Sequence, residues 1–308
     1  MTQGCKHGLG VHDVKTDEIS CTMEKRHKST VTDYFSDTTL YWENLYEKIN
    51  GKFPSYDSYM MTKRMETVLQ LLDGYAMNRS LQVLDVGCGP GVVLEEVFRR
   101  GHKGTGLDVS TSMVDEANRR LGKFIDTTHP CRSGDIEDLP YPDNTFDVVL
   151  CLGVLMYLLS DHKALSEINR VVKPGGLVLL VLPNLVRVNM LFDPYYFYRA
   201  AKHAMGSLPR KRMSHFTSLV PKNVKSREKF TIRRYVFTGL PRLLKQHDFT
   251  NIRLSGVDYS PLTLWGKHVF PTGLNIALSE RLAGISGTKG FGWLHALANQ
   301  WVICMTRR

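Results

Sequence analysis

The stretch Val83-Leu84-Asp85-Val86-Gly87-Cys88-Gly89-Pro90-Gly91 decides how this chain is read. Val83 to Val86 is a short apolar run, interrupted only by Asp85, and has the signature of a buried strand. Glycines at alternate positions follow it. Val92 to Arg100 then reads as a helix, with Val93, Val97 and Phe98 on one side and Glu95, Glu96, Arg99 and Arg100 on the other. Strand, glycine turn and helix make a ligand cradle. Glycines admit positive φ and let a ligand lie against the main chain, and the helix N-terminus offers unpaired N–H groups.

A glycine loop alone is also compatible with a plain turn, so spacing has to narrow the reading. Dinucleotide loops favour G-x-G-x-x-G, with a tight pyrophosphate turn. This chain has G-x-G-x-G, with Asp85 two residues before the first glycine. A carboxylate beside the loop repels a pyrophosphate and suits a cation. Asp108 ends the next apolar strand about 20 residues on, where an acid can hold both ribose hydroxyls. Both features favour S-adenosylmethionine (SAM) over a nicotinamide dinucleotide.

On these residues the chain resembles the class I SAM-dependent methyltransferases, in the broad type 11-like group that acts on small molecules and lipids. The resemblance covers about Leu81 to Leu182 in motif and the ends only in topology. It implies that Asp85, Gly87, Gly89 and Gly91 hold the methionine part, with Asp85 facing the ammonium and Cys88 filling a small slot in the loop without chemistry. It implies that Asp108, followed by Val109, binds the ribose and that Met113 lies on the adenine. Asp135 would accept from the adenine amino group and the Ile136 N–H would meet a ring nitrogen. Leu152 and Gly153 stand where such chains pass the sulfonium. The phrase from Asp138 to Asp147 is close to the family's usual wording.

The expected fold is α/β: a doubly wound, mostly parallel seven-stranded sheet of the Rossmann-like methyltransferase kind, with N-terminal helices and two cap insertions. Strands are expected at 81–86, 104–109, 132–136, 146–152, 177–182, 249–257 and 300–306, and helices at 112–121, 162–172 and 238–246. Residues 173–176 read as a turn. The resemblance makes the last strand antiparallel, inserted beside strand six. By segment, 1–29 is expected to be a mobile tail, 30–80 a helical cap, 81–182 the cofactor-binding core and 183–234 a basic, aromatic lid. Residues 235–308 complete the core around a second insertion at 258–299. The cap should hold helices over about 30–48 and 57–74, either covering the cofactor or simply packing the core.

The chain has 308 residues, 43% of them apolar, enough for one large domain with insertions. No apolar run reaches the roughly 18 residues of a membrane span, and the polar N-terminus lacks a secretory core. The six cysteines form no C-x-x-C pair and suit a reducing cytoplasm. The formal charge of +10 is local: thirteen Lys or Arg lie between Arg199 and Lys245, against one acid, Glu228. Three readings of this block stay open. It is a solvated lid, a surface for an anionic substrate or a membrane, or an RNA-binding face; nucleic acid ranks last.

Transfer to a hydroxyl needs a base, and the candidates are Tyr157, His162, His203 and His215. Tyr157 lies just past the fourth strand, where it can face an acceptor; His215 lies in the lid. After that strand stands Cys151-Leu152-Gly153-Val154, with neither the Asn/Asp-Pro-Pro-Tyr of base-amino methylation nor a Pro-Cys nucleophile. The expectation is a SAM-dependent methyltransferase without a metal. Its acceptor is a small or amphipathic molecule, anionic in one reading, methylated on oxygen as in a natural product, sugar or lipid. The alternatives are an RNA or protein methyltransferase and an inactive SAM-binding protein.

Overall fold

The computed structural model describes residues 11–46, 52–124, 129–188, 193–196, 198, 232–259, 262–265, 267–288 and 290–308, with side chains from residue 22 onward. Helices α1 (Val11–Asp37), α2 (Thr39–Asn44) and α3 (Tyr56–Ala76) come first. The core then alternates: β1 (Gln82–Val86), α4 (Val92–Arg99), β2 (Lys103–Asp108), α5 (Thr111–Leu121), β3 (Cys131–Ser133), β4 (Phe146–Leu152), α6 (His162–Val171) and β5 (Val172–Pro183). After residue 232 come α7 (Leu240–Gln246), β6 (Phe249–Asp258), the small hairpin β7 (Thr263–Leu264) with β8 (Lys267–His268), α8 (Thr272–Ser286) and β9 (Gln300–Arg307).

Seven strands form one sheet in the order β3-β2-β1-β4-β5-β9-β6. The inner pairs are parallel, and β9 runs antiparallel between β5 and β6. The chain reverses direction across the sheet at β1, whose neighbours β2 and β4 are reached by crossovers on opposite sides. A crevice therefore opens beyond the C-terminal ends of β1 and β4. Strands β1, β4 and β5 are apolar on both faces because helices cover both. On one face α3 lays Val68, Leu69 and Leu72 against Val148, Leu150 and Val302; on the other α6 lays Leu165 and Ile168 into the larger cluster. Val68 and Leu72 are fully buried, and each contributes about 1.5–3 kcal/mol.

The structure corrects the tail. Residues 1–10 lie outside the described residues; from Val11 to Asp37 the chain forms α1 instead of a mobile segment to Ser29, and the second half of α1 is bonded to the core. The segment is polar and lacks apolar periodicity, so its helix is held by tertiary contacts that leave no pattern in sequence. The stretch at 173–176 is not a free turn but a bulge within β5: Phe146 pairs with Val172 and Val148 with Leu177. The third strand is shorter than read, since the chain leaves the sheet at Gly134.

Asn184 ties the end of β5 to the rest of the sheet. It is fully buried, and its amide Nδ2 donates to the carbonyls of Ala296 and Ala298 at 2.8 Å and to that of Val186. Its backbone bridges Tyr235. Asn184→Ala orphans these carbonyls and is expected to cost about 2–4 kcal/mol, read as a lower urea midpoint with an unchanged m-value.

Candidate functional site

One cavity of about 940 Å³ fills the crevice and runs from the glycine loop to the ends of β5 and β9. Ligand clefts span about 300–1,000 Å³, so it has room for a cofactor and a second molecule. Of the residues expected at a cofactor, Asp85, Gly87, Cys88, Gly89, Asp108, Val109, Met113, Asp135, Ile136 and Leu152 all line it. Gly91 is just behind, capping α4 at φ 77°.

The loop closes tightly on the sheet. Gly87 and Cys88 donate their N–H groups to the Leu107 carbonyl at 2.6 and 3.1 Å. Gly87 has φ 73°, and a Cβ there would fall 2.1 Å from Val154 Cγ2, so both conformation and space require glycine. Asp108 ends β2 with Oδ2 accepting from Gly89 N at 2.9 Å and Oδ1 from Ser110 N at 3.0 Å. The Val109 N–H also acts on this carboxyl; a carboxylate has about four acceptor sites, so capacity for a ligand hydroxyl remains. Burial pushes the Asp108 carboxyl up, against these backbone bonds.

Asp85 is the exposed nerve of the site. It is 2% exposed, and its Oδ1 is buried with no hydrogen-bond partner. Burial first, then the charge of Asp108, push its carboxyl up to about 7, with Arg64 opposing. Arg64 comes from α3, is itself buried, and donates from Nη2 to the Tyr46 hydroxyl at 3.0 Å. Its Nε is also buried without a partner, and its Nη1 lies 3.1 Å from where a Cβ on Gly153 would stand. Sequence reasoning missed Arg64. The signal was available: it is a charged residue on the buried stripe Met60-Arg64-Val68, at i, i+4, i+8 spacing.

The N-terminal helices form the roof. Glu24, His27, Lys28, Phe35, Trp42 and Tyr46 line the cavity. Lys28 Nζ donates to Asp135 Oδ2 at 2.7 Å and pairs with Glu137. Burial pulls its ammonium down, but the two carboxylates outweigh this and hold it above its ordinary value. Asp135, expected at the adenine amino group, is thus engaged by the roof and by Glu137 N at 2.9 Å. Ser36 Oγ meets Ser110 Oγ at 2.9 Å, and Glu43 accepts from Arg120 at 3.0 Å.

The expected catalytic residues fare unequally. Tyr157 lines the cavity, 8% exposed, in a 3-10 turn directly after β4. Burial drives its phenol well above the ordinary value, which makes it a poor base and a good donor or wall. His162 stands exposed at the rim, its Nδ1 2.9 Å from His247 Nε2. His203 and His215 lie outside the described residues. His27, which sequence reasoning did not single out, lines the cavity with Nε2 2.7 Å from the Tyr157 carbonyl. Among the described residues no group of His, Cys, Asp or Glu could hold a metal ion, and no helix is long and apolar enough to cross a membrane.

Known proteins share this architecture. Residues 84–180 match the family model for the methyltransferase domain. An uncharacterized methyltransferase of Schizosaccharomyces pombe is 39% identical over 105 residues, 32% of this chain and 38% of that protein. A ubiquinone biosynthesis O-methyltransferase of Maricaulis maris is 34% identical over 142 residues, 45% of this chain and 53% of that protein. The chain thus spans about half or less of the length of these relatives. Magnesium protoporphyrin IX methyltransferase of Synechocystis PCC 6803, solved with bound S-adenosylhomocysteine (SAH), superposes with a TM-score of 0.56 at 15% identity, covering 92% of this chain and 100% of that one. Residues 84–180 thus match a methyltransferase domain, and the chain shares the fold of a solved methyltransferase.

The buried Asp85 sets a pH dependence. Its carboxyl is raised from 3.8 to about 7 in the folded chain, so the fold prefers it protonated. Stability from this group is complete below the unfolded pKa and is lost as pH rises through about 7. Asp85→Asn is therefore expected to stabilise the ligand-free chain by roughly 2–4 kcal/mol at ~pH 8 and to do little at ~pH 4, as read by urea melts at the two pH values.

Proposed function

We propose that the chain moves the methyl group of SAM to an oxygen of a small or amphipathic acceptor held in the same cavity. The observation that carries this reading is the pair of opposite buried charges at the glycine loop, each with an unsatisfied atom: Asp85 Oδ1 and Arg64 Nε. Buried polar groups left unpaired call for a ligand or a water. A methionyl zwitterion offers the matching pair, its ammonium to Asp85 and its carboxylate to Arg64. Asp108 would hold the ribose, with Val109 beside it. Met113 and Ile136 would enclose the adenine, and Asp135 would receive the amino group once Lys28 yields.

SAM supplies an activated methyl on a sulfonium. The residues of this chain align the acceptor, exclude water and handle the proton. The roof of α1 and α2 removes water from the cavity, and a reaction that neutralises a cation gains from a dry, prealigned site. Among the expected bases that are described, Tyr157 is buried above its useful range and His162 is paired at the rim. Such walls suit an acceptor oxygen that is acidic already, a phenol, an enol or a carboxylate, and so needs little help from a base. Support for oxygen over nitrogen comes from the relative named for ubiquinone O-methylation. Tyr157, with its proton retained, would donate to the acceptor and hold it in line.

Labelled methyl transfer from SAM into a small-molecule or lipid extract tests the reading; label in RNA or protein alone, or nowhere, would overturn it. Asp108→Ala is expected to weaken SAH binding at least about tenfold, since a hydrogen bond to a charged group is lost. Unchanged affinity in a calorimetric titration would place the ribose elsewhere.

A further inference from the structure

The far end of the cavity has a chemistry of its own. Beyond the C-terminal end of β5 the chain runs to Arg187, and the segment returning at residue 232 brings Arg234 beside it. The two segments are locked together: Tyr235 N donates to the Pro183 carbonyl at 3.0 Å and Leu185 N to the Tyr235 carbonyl at 2.8 Å. The returning segment is also pinned to the core, by Arg233 N on the Met156 carbonyl at 2.8 Å and by the Tyr235 hydroxyl on Asp161 Oδ1 at 2.8 Å. Both arginines line the cavity. Main-chain bonds thus fix the backbone positions from which the two side chains reach into the cavity.

Two guanidiniums placed together repel. Burial, and then the neighbouring Arg187, push Arg234 down to about 9, against the opposing influence of Tyr196; it remains charged at neutral pH. Arg187 donates from Nη2 to the Tyr196 hydroxyl at 3.1 Å, while its Nε is buried without a partner. Among the described residues Arg187 makes no ion pair. The acid nearest in influence, Asp258, is fully buried and accepts from Asn299 Nδ2 at 2.5 Å and from the Tyr56 hydroxyl at 3.3 Å. Burial pushes its carboxyl up to about 7, so it offsets Arg187 only in part. Asp193 is occupied by Tyr195 N, Trp265 N and the Thr263 hydroxyl.

We propose that Arg187 and Arg234 bind an anionic group of the methyl acceptor, a carboxylate or a phosphate, and so anchor it across the cavity from the glycine loop. The proposal rests on the methyltransferase reading for what it calls the acceptor, but the anion site stands on its own geometry. A planar guanidinium with an open Nε edge suits bidentate contact with either anion. Tyr196 lies against Arg187, and Tyr195 and Trp265 line the same cavity, so the ligand is an amphipathic acid with an apolar body. A fixed anchor of this kind holds the reacting oxygen in register and spares a base the work of orienting it.

Calorimetry on the full chain saturated with SAH, titrated with phenylacetate, phenyl phosphate and benzyl alcohol, tests this. At least one of the two anions is expected to bind about tenfold or more tightly than the alcohol, and the one preferred tells carboxylate from phosphate. The double variant Arg187→Gln, Arg234→Gln should lose that preference while its SAH affinity stays unchanged, which also reports that it folds. Arg187→Lys with Arg234→Lys should keep part of it. Equal binding of alcohol and anions by the native chain, or a preference that survives in the double Gln variant, overturns the proposal. If the native chain fails to bind SAH, the methyltransferase reading falls instead, and the same titrations on the unliganded chain still decide the anion site.

Discussion

A carboxylate buried at the end of β1 sets the terms for the rest of this structure. Asp85 has been taken out of water with one oxygen unpaired and a second acid, Asp108, close by. In an ordinary core such an arrangement is costly. Around it stand a glycine loop pulled against the Leu107 carbonyl, a crevice at the sheet's switch point, and the buried Arg64, a pair of opposite groups that a zwitterion would match. The price is stability in the ligand-free state, and on the proposed reading the return is selectivity for a positively charged partner over a pyrophosphate.

The roof follows from the same constraint. A site shielded from water strengthens every charge interaction inside it, and residues of α1 and α2 cover this one. Beside the apolar packing of Val31, Phe35 and Trp42, polar bonds tie them down: Lys28 on Asp135 and Glu137, Ser36 on Ser110, Glu43 on Arg120. Polar bonds at partly exposed positions are individually weak and so can be exchanged. Lys28 occupies the carboxylate expected to meet the adenine, so on the proposed reading the cofactor and the roof compete for Asp135.

The core was legible because its signals are local. Continuous apolar runs marked β1, β4 and β5, and the glycine spacing with Asp85 and Asp108 marked the crevice. The order of the outer strands came from resemblance, and the antiparallel pairing of β9 with β5 and β6 agrees with it. What escaped was non-local. The length of α1 is set by bonds from Lys28, His27 and Ser36 to residues far along the chain, which no periodicity announces. Arg187 and Arg234 are separated by a long insertion and meet only through the bridge between Asn184 and Tyr235. The sequence showed a basic block but could not say that Arg234 within it, and Arg187 before it, would both face the cavity. Tyr157 was placed correctly past β4, yet its burial, which decides its chemistry, is a property of the packed roof.

The central claim is that the buried Asp85 gives up its proton to receive a cation. Proton exchange on SAH binding measures this directly, by calorimetry in buffers of different ionisation enthalpy just below neutral pH, where the ligand's ammonium is already charged. The account predicts net proton release by the native chain and none by Asp85→Asn. Binding without proton release by the native chain, or equal release by both, would contradict it.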